Sequence, residues 1–401
     1  MGDPGYLAMR CILVGLLLLV VFEPAVAAVK RVDPAYLASI RDDNPNPLPR
    51  GFGPGEHPVA PRIPDHVLAP PPGSARAQAE YEDNQGLMVR WGSFNSLLTD
   101  MTVAITTGDS SARMYVVVTG TSQQNSAAST LAGAGANMDR VGFIVQPCSN
   151  SNQCSVWMRD YGPRFIDDSG RLGIIDHIYN RPQRIVDDAY PDVASTVRGE
   201  PNYDIPLTHG GGNFHLFRNR DAFMTRLIVN ENPGVSEQQI RDYYALYQGL
   251  DVTLTDPFPI SYDSTQHIDM WMLPLADNTV LIGEYAAGEG GGVPKTVTDA
   301  TASLMQSRGY TVYRTPGWRA GGAHYTYTNA VLLNDLALIC RFGGSYAAQD
   351  AQALATFQTA LPDRTIVQVD CSGIIGSAGA IHCIVMHVPD LLFRDEFEGV
   401  E

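Results

Sequence analysis

The sequence predicts an α/β fold, and three observations carry that expectation. Short runs of β-branched and apolar residues recur along the chain, stretches with apolar positions three or four apart stand between them, and some neighbouring runs are close enough to pair as hairpins. Helices alternating with strands are the pattern of layered α/β domains. No fixed period of self-similarity is present, so a solenoid is not expected.

In chain order, the apolar runs 87–90 and 114–118 read as strands. The stretch 122–138 places Ala127, Ala128, Leu131 and Ala132 at helical spacing. Strands are expected at 141–145, 172–177 and 222–229, the last because Phe223, Met224, Leu227, Ile228 and Val229 make a nearly unbroken apolar run. Ser236 heads a helix over 236–248, since its hydroxyl can cap the first turn. A strand at 279–282, a helix over 294–307 and a strand at 311–314 follow. The runs 330–333 and 337–341 read as a hairpin across Asn334-Asp335. A helix over 347–361 and strands at 365–369 and 380–386 complete the series.

The chain has 401 residues, 44% of them apolar, enough for a substantial core. Its formal net charge of -16, with no run of Lys and Arg, excludes nonspecific nucleic-acid binding. Acidity aids solubility and also attracts cationic substrates. Met9-Arg10-Cys11, an apolar stretch through Phe22, and Ala25-Val26-Ala27 have the layout of a secretory signal cut near Ala28. The run is short for a membrane anchor, so the mature protein is expected to be secreted or periplasmic, with no membrane span after cleavage. Residues 1–27 thus read as signal and 28–80, dense in proline and charge, as an extended strap. Residues 81–392 read as the catalytic domain and 393–401 as an acidic tail.

Of six cysteines, Cys11 leaves with the signal. Cys148 and Cys154 bracket a polar stretch that can close a small disulfide loop, and Cys340 and Cys371 lie near the ends of expected strands. Whether or not Cys340 and Cys371 pair, Cys383 is the expected free thiol, delivered by Gly376-Ser377-Ala378-Gly379-Ala380-Ile381-His382. Together with Asp160 and the pair His267-Ile268-Asp269, it suggests a nucleophile, an acid/base and two carboxylates. Anionic neighbours raise a thiol pKa, so the arrangement makes sense if the substrate brings the positive charge. A guanidinium does so, being planar, permanently cationic and matched to carboxylates. Taken singly, each residue has a plainer reading: Cys383 as a buried small hydrophobe, Asp160 as a surface ion-pair partner of Arg159, Asp269 as a turn acceptor.

Trp157-Met158-Arg159-Asp160-Tyr161-Gly162-Pro163, Gly210-Gly211-Gly212-Asn213, His267-Ile268-Asp269, Thr328-Asn329-Ala330 and Gly379-Ala380-Ile381-His382-Cys383 occur in an order that resembles the agmatine deiminase and bacterial peptidylarginine deiminase family of guanidine-modifying enzymes. The resemblance covers roughly residues 80–392. It implies the pentein fold, five ββαβ-like modules around a pseudo-fivefold axis. It also implies that Cys383 attacks the guanidinium carbon, His267 serves as acid/base, and Asp160 and Asp269 clamp the cation. Trp157 joins the substrate-binding set, and Asn329 either orients the substrate or satisfies buried main chain. The glycines 210–212 let backbone approach closely.

The segment Ile178-Tyr179-Asn180-Arg181-Pro182-Gln183-Arg184 is similar to the secreted peptidylarginine deiminases, in which closely spaced arginines take the carboxylate of a C-terminal arginine. Gln183 departs from their Arg-Pro-Arg pattern, so Arg181 is the firmer contact and Arg184 serves only if the loop shifts. The expected substrate is arginine in a peptide or protein, with agmatine as the alternative and a catalytically silent arginine-binding protein as the alternative of another class. No cofactor or metal is required. Gly288 to Thr296 fails as a phosphate loop because Pro294 stands where a glycine is needed, and Ile375 breaks the serine-hydrolase elbow before Ser377. His209, His215 and His387 lack zinc-ligand spacing and read as structural. Asp187-Asp188 is a candidate loop for structural calcium.

Overall fold

The computed structural model describes residue 1 and residues 69–108, 112–150 and 152–390. The cleavage region of the expected signal, the strap as far as residue 68 and the tail lie outside the described residues.

Five sheets form, and one motif builds each: a strand pairs antiparallel with a second, a helix crosses over, and a third strand returns parallel to the second. After an edge strand β1 (Ala75–Ala77), the first unit runs β2 (Asn84–Arg90), helix Asn95–Gly108 and β3 (Arg113–Val118), then adds helix Thr121–Gly133 and β4 (Val141–Val145). The second is β5 (Arg164–Asp168), β6 (Arg171–Tyr179), helix Tyr190–Arg198 and β7 (Asn202–His209), with β1 paired to β5. The third is β8 (His215–Leu216), β9 (Asp221–Thr225), helix Glu237–Gln248 and β10 (Asp251–Thr255). The fourth is β11 (Met272–Ala276), β12 (Thr279–Glu284), helix Val293–Ser307 and β13 (Thr311–Ala320), extended by β14 (Ala323–Thr326). The fifth is β15 (Val331–Leu333), β16 (Leu336–Arg341), helix Ala347–Ala360 and β17 (Thr365–Asp370). The last strand, β18 (Met386–Pro389), returns to pair antiparallel with β2, so the first unit takes its leading strand from the far end of the chain. This is the five-module α/β architecture expected of a pentein.

The sequence explains these elements locally. Central strands are buried on both faces, and Leu87, Met88, Val89, Val116, Val117, Leu338 and Ile339 are accordingly apolar and fully covered. Ser236 caps its helix through a capping box: its hydroxyl accepts from the Gln239 amide at 3.2 Å, and the Gln239 side chain accepts from the Ser236 amide at 2.9 Å. Gly249, at φ 68°, ends the same helix in the left-handed region that glycine adopts without strain.

Two expected strands are corrected. The run 222–229 is β9 followed by a short helix, Leu227–Glu231, because the chain turns at Arg226 and packs Leu227 and Ile228 into the core as helix. The run 380–386 is mostly turns, with strand beginning only at Met386; its apolar side chains are buried as a loop. The span read as strap contains β1, so its end already belongs to the folded body.

Cys148 is bonded to Cys154 and Cys383 is free and buried, as expected, and Cys340, whose pairing the sequence leaves open, is bonded to Cys371. Cys371 also accepts the amide hydrogens of Ile374 and Ile375, so the second disulfide anchors the loop leading to Cys383. It closes a 31-residue loop, and removing it with Cys371→Ser is expected to cost about 3–4 kcal/mol, read as a Tm several degrees lower. The Asp187-Asp188 carboxylates are used internally: Asp187 accepts from the Ser155 amide (3.0 Å) and hydroxyl (2.7 Å), and Asp188 from the Tyr179 amide (2.7 Å).

Candidate active site

Each motif residue lies in the segment just before the leading strand of a unit. Asp160 precedes β5, Gly210 to Asn213 precede β8, His267 and Asp269 precede β11, Asn329 precedes β15, and Cys383 precedes β18. The five segments meet at one place. The Arg159 amide donates to the Cys383 carbonyl (3.1 Å), and the Gly211 amide to the Asp160 carbonyl (2.9 Å). The Gly212 amide donates to Asp160 Oδ1 (3.1 Å), and the Asp269 amide to the Gly212 carbonyl (3.3 Å). Glycine is needed here for space. A Cβ at 211 would stand 2.2 Å from the Arg159 oxygen, and one at 212 would stand 2.7 Å from His267 Nδ1 and 3.0 Å from carboxylate oxygens of both Asp160 and Asp269.

Asn329 joins the two roles the sequence left open. Its Oδ1 accepts the amide hydrogens of Ala380 (3.1 Å), His382 (3.0 Å) and Cys383 (3.4 Å), which folds the thiol loop around it. Its Nδ2 donates to Cys383 Sγ at 3.1 Å. The thiol in turn donates to Asp269 Oδ2 at 3.4 Å. Trp157 is buried edge-on to Phe94, with ring centroids 6.3 Å apart, and backs the same loop: a Cβ at 379 would lie 2.7 Å from Trp157 Cζ3 and 3.1 Å from the sulfur. Gly379→Ala is therefore expected to displace the thiol and lower kcat roughly a hundredfold, since ångström misplacement costs that much. A circular-dichroism melt within about 3 kcal/mol of the parent would separate this from unfolding.

The electrostatics are those of a site built for a cation. Burial pushes the Cys383 thiol well up, and Asp269 and Asp160 push it further. Burial also raises Asp160, with the Asp269 charge adding to it despite His267 nearby. For Asp269, burial is outweighed by His382, which hydrogen-bonds it and holds its carboxyl below the usual range. Four buried polar atoms here have no hydrogen-bond partner among the described residues: Asp160 Oδ2, Asp269 Oδ1, and both His267 nitrogens, although His267 Nδ1 is 3.6 Å from Asp160 Oδ1. A buried carboxylate oxygen left unpaired is costly and rare, so the cluster calls for a ligand with several N–H donors.

A chain of charge lies behind the thiol that sequence reasoning missed. His382 Nδ1 meets Asp269 Oδ2 at 2.8 Å, its Nε2 meets Glu80 Oε2 at 3.0 Å, and Arg159 Nη1 donates to Glu80 Oε1 at 2.6 Å. Burial and Arg159 oppose a charge on His382, but Glu80 and Asp269 outweigh them and raise its pKa. Arg159 is thus a buried partner of Glu80 rather than of its neighbour Asp160. Glu80 gave no signal because it ends a proline-rich stretch with no apolar periodicity. Arg181 is buried, and its charge acts on Asp160 and on Glu231, whose carboxyl burial pushes up to about 8. Arg184, expected to reach the substrate only if its loop shifts, is buried, with its side chain donating to the Tyr179 hydroxyl at 3.3 Å and near Asp187. The neighbouring short helix pulls it inward, since the Asp188 amide binds the Arg184 carbonyl at 3.0 Å.

The model of the Porphyromonas-type peptidyl-arginine deiminase family matches residues 76–389. The chain belongs to that family. Hydrolysis of the C–N bond of an arginine-type guanidine group is its class of activity. Among similar members, a protein of Streptomyces avermitilis provisionally named agmatine deiminase is 26% identical over 264 residues, covering 58% of this chain and 74% of its own. One from Legionella pneumophila, named likewise, is 26% identical over 254 residues, covering 58% and 72%. Agmatine deiminase of Enterococcus faecalis shares the fold at a TM-score of 0.67 with 19% identity, over 82% of this chain and all (100%) of that one. A Porphyromonas gingivalis structure, described provisionally as an arginine deiminase, also aligns at 0.67, with 18% identity over 79% and 98%. This family member, then, has a free buried thiol and two carboxylates at the meeting point of five units.

Proposed function

We propose that the chain deiminates a small free guanidine of the agmatine type, releasing ammonia and a ureido product through a covalent intermediate on Cys383. The observation that carries the chemistry is the set of unpartnered buried atoms around the thiol, Asp160 Oδ2, Asp269 Oδ1 and the His267 ring nitrogens. A guanidinium supplies N–H donors to both carboxylates and cancels the charges that hold Cys383 protonated. The thiol proton passes to His267 and sulfur attacks the central carbon. His267 then protonates the departing nitrogen, which leaves as ammonia. Water adds to the thiouronium carbon as His267 takes its proton, the C–S bond breaks, and the sulfur recovers a proton from His267.

The free-guanidine reading over the peptidyl one is supported by Arg184, whose guanidinium donates to the Tyr179 hydroxyl inside the protein, and by the names of the relatives. The description of the matching family and the nearness of Arg181 to Asp160 favour C-terminal peptidyl-arginine as the second reading. Purified protein would be given agmatine, free arginine, and peptides with internal or C-terminal arginine, and ammonia and ureido product measured. Agmatine is expected to be preferred at least about tenfold in kcat/KM; turnover of peptides alone would reject that choice. Export is part of the proposal, supported by residues 9–27 and by two disulfides, which persist in oxidising compartments. N-terminal sequencing of the exported chain near Ala28 tests it.

A pH dependence follows. Asp160 must be ionised to hold a cation, and its pKa in the free protein is raised, so the ionised fraction falls as pH drops through that value. The raised Cys383 pKa acts in the same direction. Thus kcat/KM is expected to rise with pH through the neutral range, with the acid limb steeper in kcat/KM than in kcat, because the bound cation lowers both pKa values. Parallel profiles would contradict this.

A further inference from the structure

A second cluster stands behind the thiol site and exchanges no atom with substrate in the reaction above, although His382 also holds Asp269. Glu80 follows β1, His215 opens β8 and His382 belongs to the thiol loop, and one ligand-type atom from each lies within 4.8 Å of the others. We propose that Glu80, His215 and His382 bind one divalent transition-metal ion, with zinc the best chemical match.

Four observations carry it. His215 Nε2 has no hydrogen-bond partner, although the residue is only 2% exposed, and its ring centroid is 5.1 Å from that of His382. A buried imidazole nitrogen without a partner is the mark of a missing ligand. The other His382 nitrogen, Nδ1, is held at 2.8 Å by Asp269, the carboxylate–imidazole pairing that orients metal-binding histidines. Glu80 Oε1 is likewise fixed by Arg159 at 2.6 Å, and Oε2 stands 3.0 Å from His382 Nε2, so an ion bound here exchanges that hydrogen bond for a bond from each atom to the metal. Finally, Glu80 and His215 line a cavity shared with Arg159, Arg164 and His387, which offers room for a water molecule as a further ligand.

Two imidazoles and one carboxylate make the donor set of three-residue zinc centres with an open fourth position. Tetrahedral ligands about 2.1 Å from zinc lie about 3.4 Å apart, against the 4.8 Å within which the three ligand-type atoms lie, so roughly 1 Å of side-chain adjustment brings them onto one ion. Nearby alternatives are occupied. His387 Nε2 donates to the Leu332 carbonyl at 2.7 Å, and its Nδ1 meets Arg159 Nη2 at 3.0 Å. Cys383 sulfur is turned to Asn329 and Asp269. The three residues come from distant parts of the chain, so no spacing motif announces them, and the structural reading of His215 from sequence alone is superseded here.

The test is titration of the metal-free full chain with Zn²⁺ against a chromophoric chelator, followed by X-ray absorption of the complex. One ion per chain is expected, with only nitrogen and oxygen at about 2.0–2.1 Å. Glu80→Gln and His215→Gln are each expected to weaken binding at least tenfold, while Cys383→Ala binds as the parent does. Circular dichroism identifies any variant that fails to fold, and Glu80→Gln alone then decides. Sulfur at about 2.3 Å, loss of binding in Cys383→Ala, no stoichiometric binding, or unchanged affinity in Glu80→Gln would each overturn the proposal. These readouts report metal and ligand type, so they fail or succeed separately from the guanidine reaction.

Discussion

Replacing Asp269 with asparagine is expected to lower kcat/KM by roughly 10²–10⁴ while making the Cys383 thiol more acidic. The first effect follows from removing one member of a buried charge pair, which costs about 3–5 kcal/mol. Asp269 faces two partners at once: His382 at 2.8 Å and, through its unpartnered Oδ1, the incoming guanidinium. An amide carries no charge for either. The second effect has the opposite sign, because after burial Asp269 is the largest cause holding the thiol protonated. Thiolate ultraviolet absorbance against pH, with the Cys383→Ala signal subtracted, should show a lower midpoint in Asp269→Asn than in the parent. Activity within tenfold of the parent together with an unmoved midpoint would refute the role of Asp269 as clamp. Asp160→Asn is the companion variant, since it lies outside the His382 pairing and is expected to show both effects with less loss of stability.

Cys383→Ala should abolish turnover, by five or six orders of magnitude as for other covalent nucleophiles, yet still bind agmatine. Both carboxylates keep their geometry without the sulfur, because Asp160 is fixed by the Gly212 amide and Asp269 by His382. Calorimetry on the variant therefore separates recognition from chemistry. Residual ammonia release above one part in a thousand would move the nucleophile elsewhere. A parent protein that binds agmatine and releases no ammonia would instead support the arginine-binding alternative.

Much of this was legible before any coordinates. The α/β class, most strands and helices, the Ser236 cap and the Cys148–Cys154 disulfide followed from periodicity, capping chemistry and cysteine spacing, whereas the sequence leaves the pairing of Cys340 with Cys371 open. What escaped has physical causes. An apolar run shows burial without showing how the backbone is shaped, so 380–386 looked like strand although Asn329 folds most of it into turns. Helix Asn95–Gly108 carries four threonines, which are weak helix formers, and buried Leu97, Leu98, Met101 and Ile105 hold it by tertiary packing. Within the candidate site, Asp160, His267, Asp269, Asn329 and Cys383 were readable as motif residues and meet in space. Glu80 was not, because its role depends on a single two-sided contact with His382 and Arg159 made across most of the chain.

Strand β18 has a temporal meaning as well as a spatial one. A ribosome making this protein completes both carboxylates, the histidine and four of the leading strands before it reaches Cys383, and the sulfur emerges only three residues ahead of the strand that seals the first sheet. The growing polypeptide can therefore hold every piece of the cation trap and still be chemically mute. Trimming the chain from its C-terminal end past Cys383 would return it to that state in one cut, removing reactivity and the closing seam together.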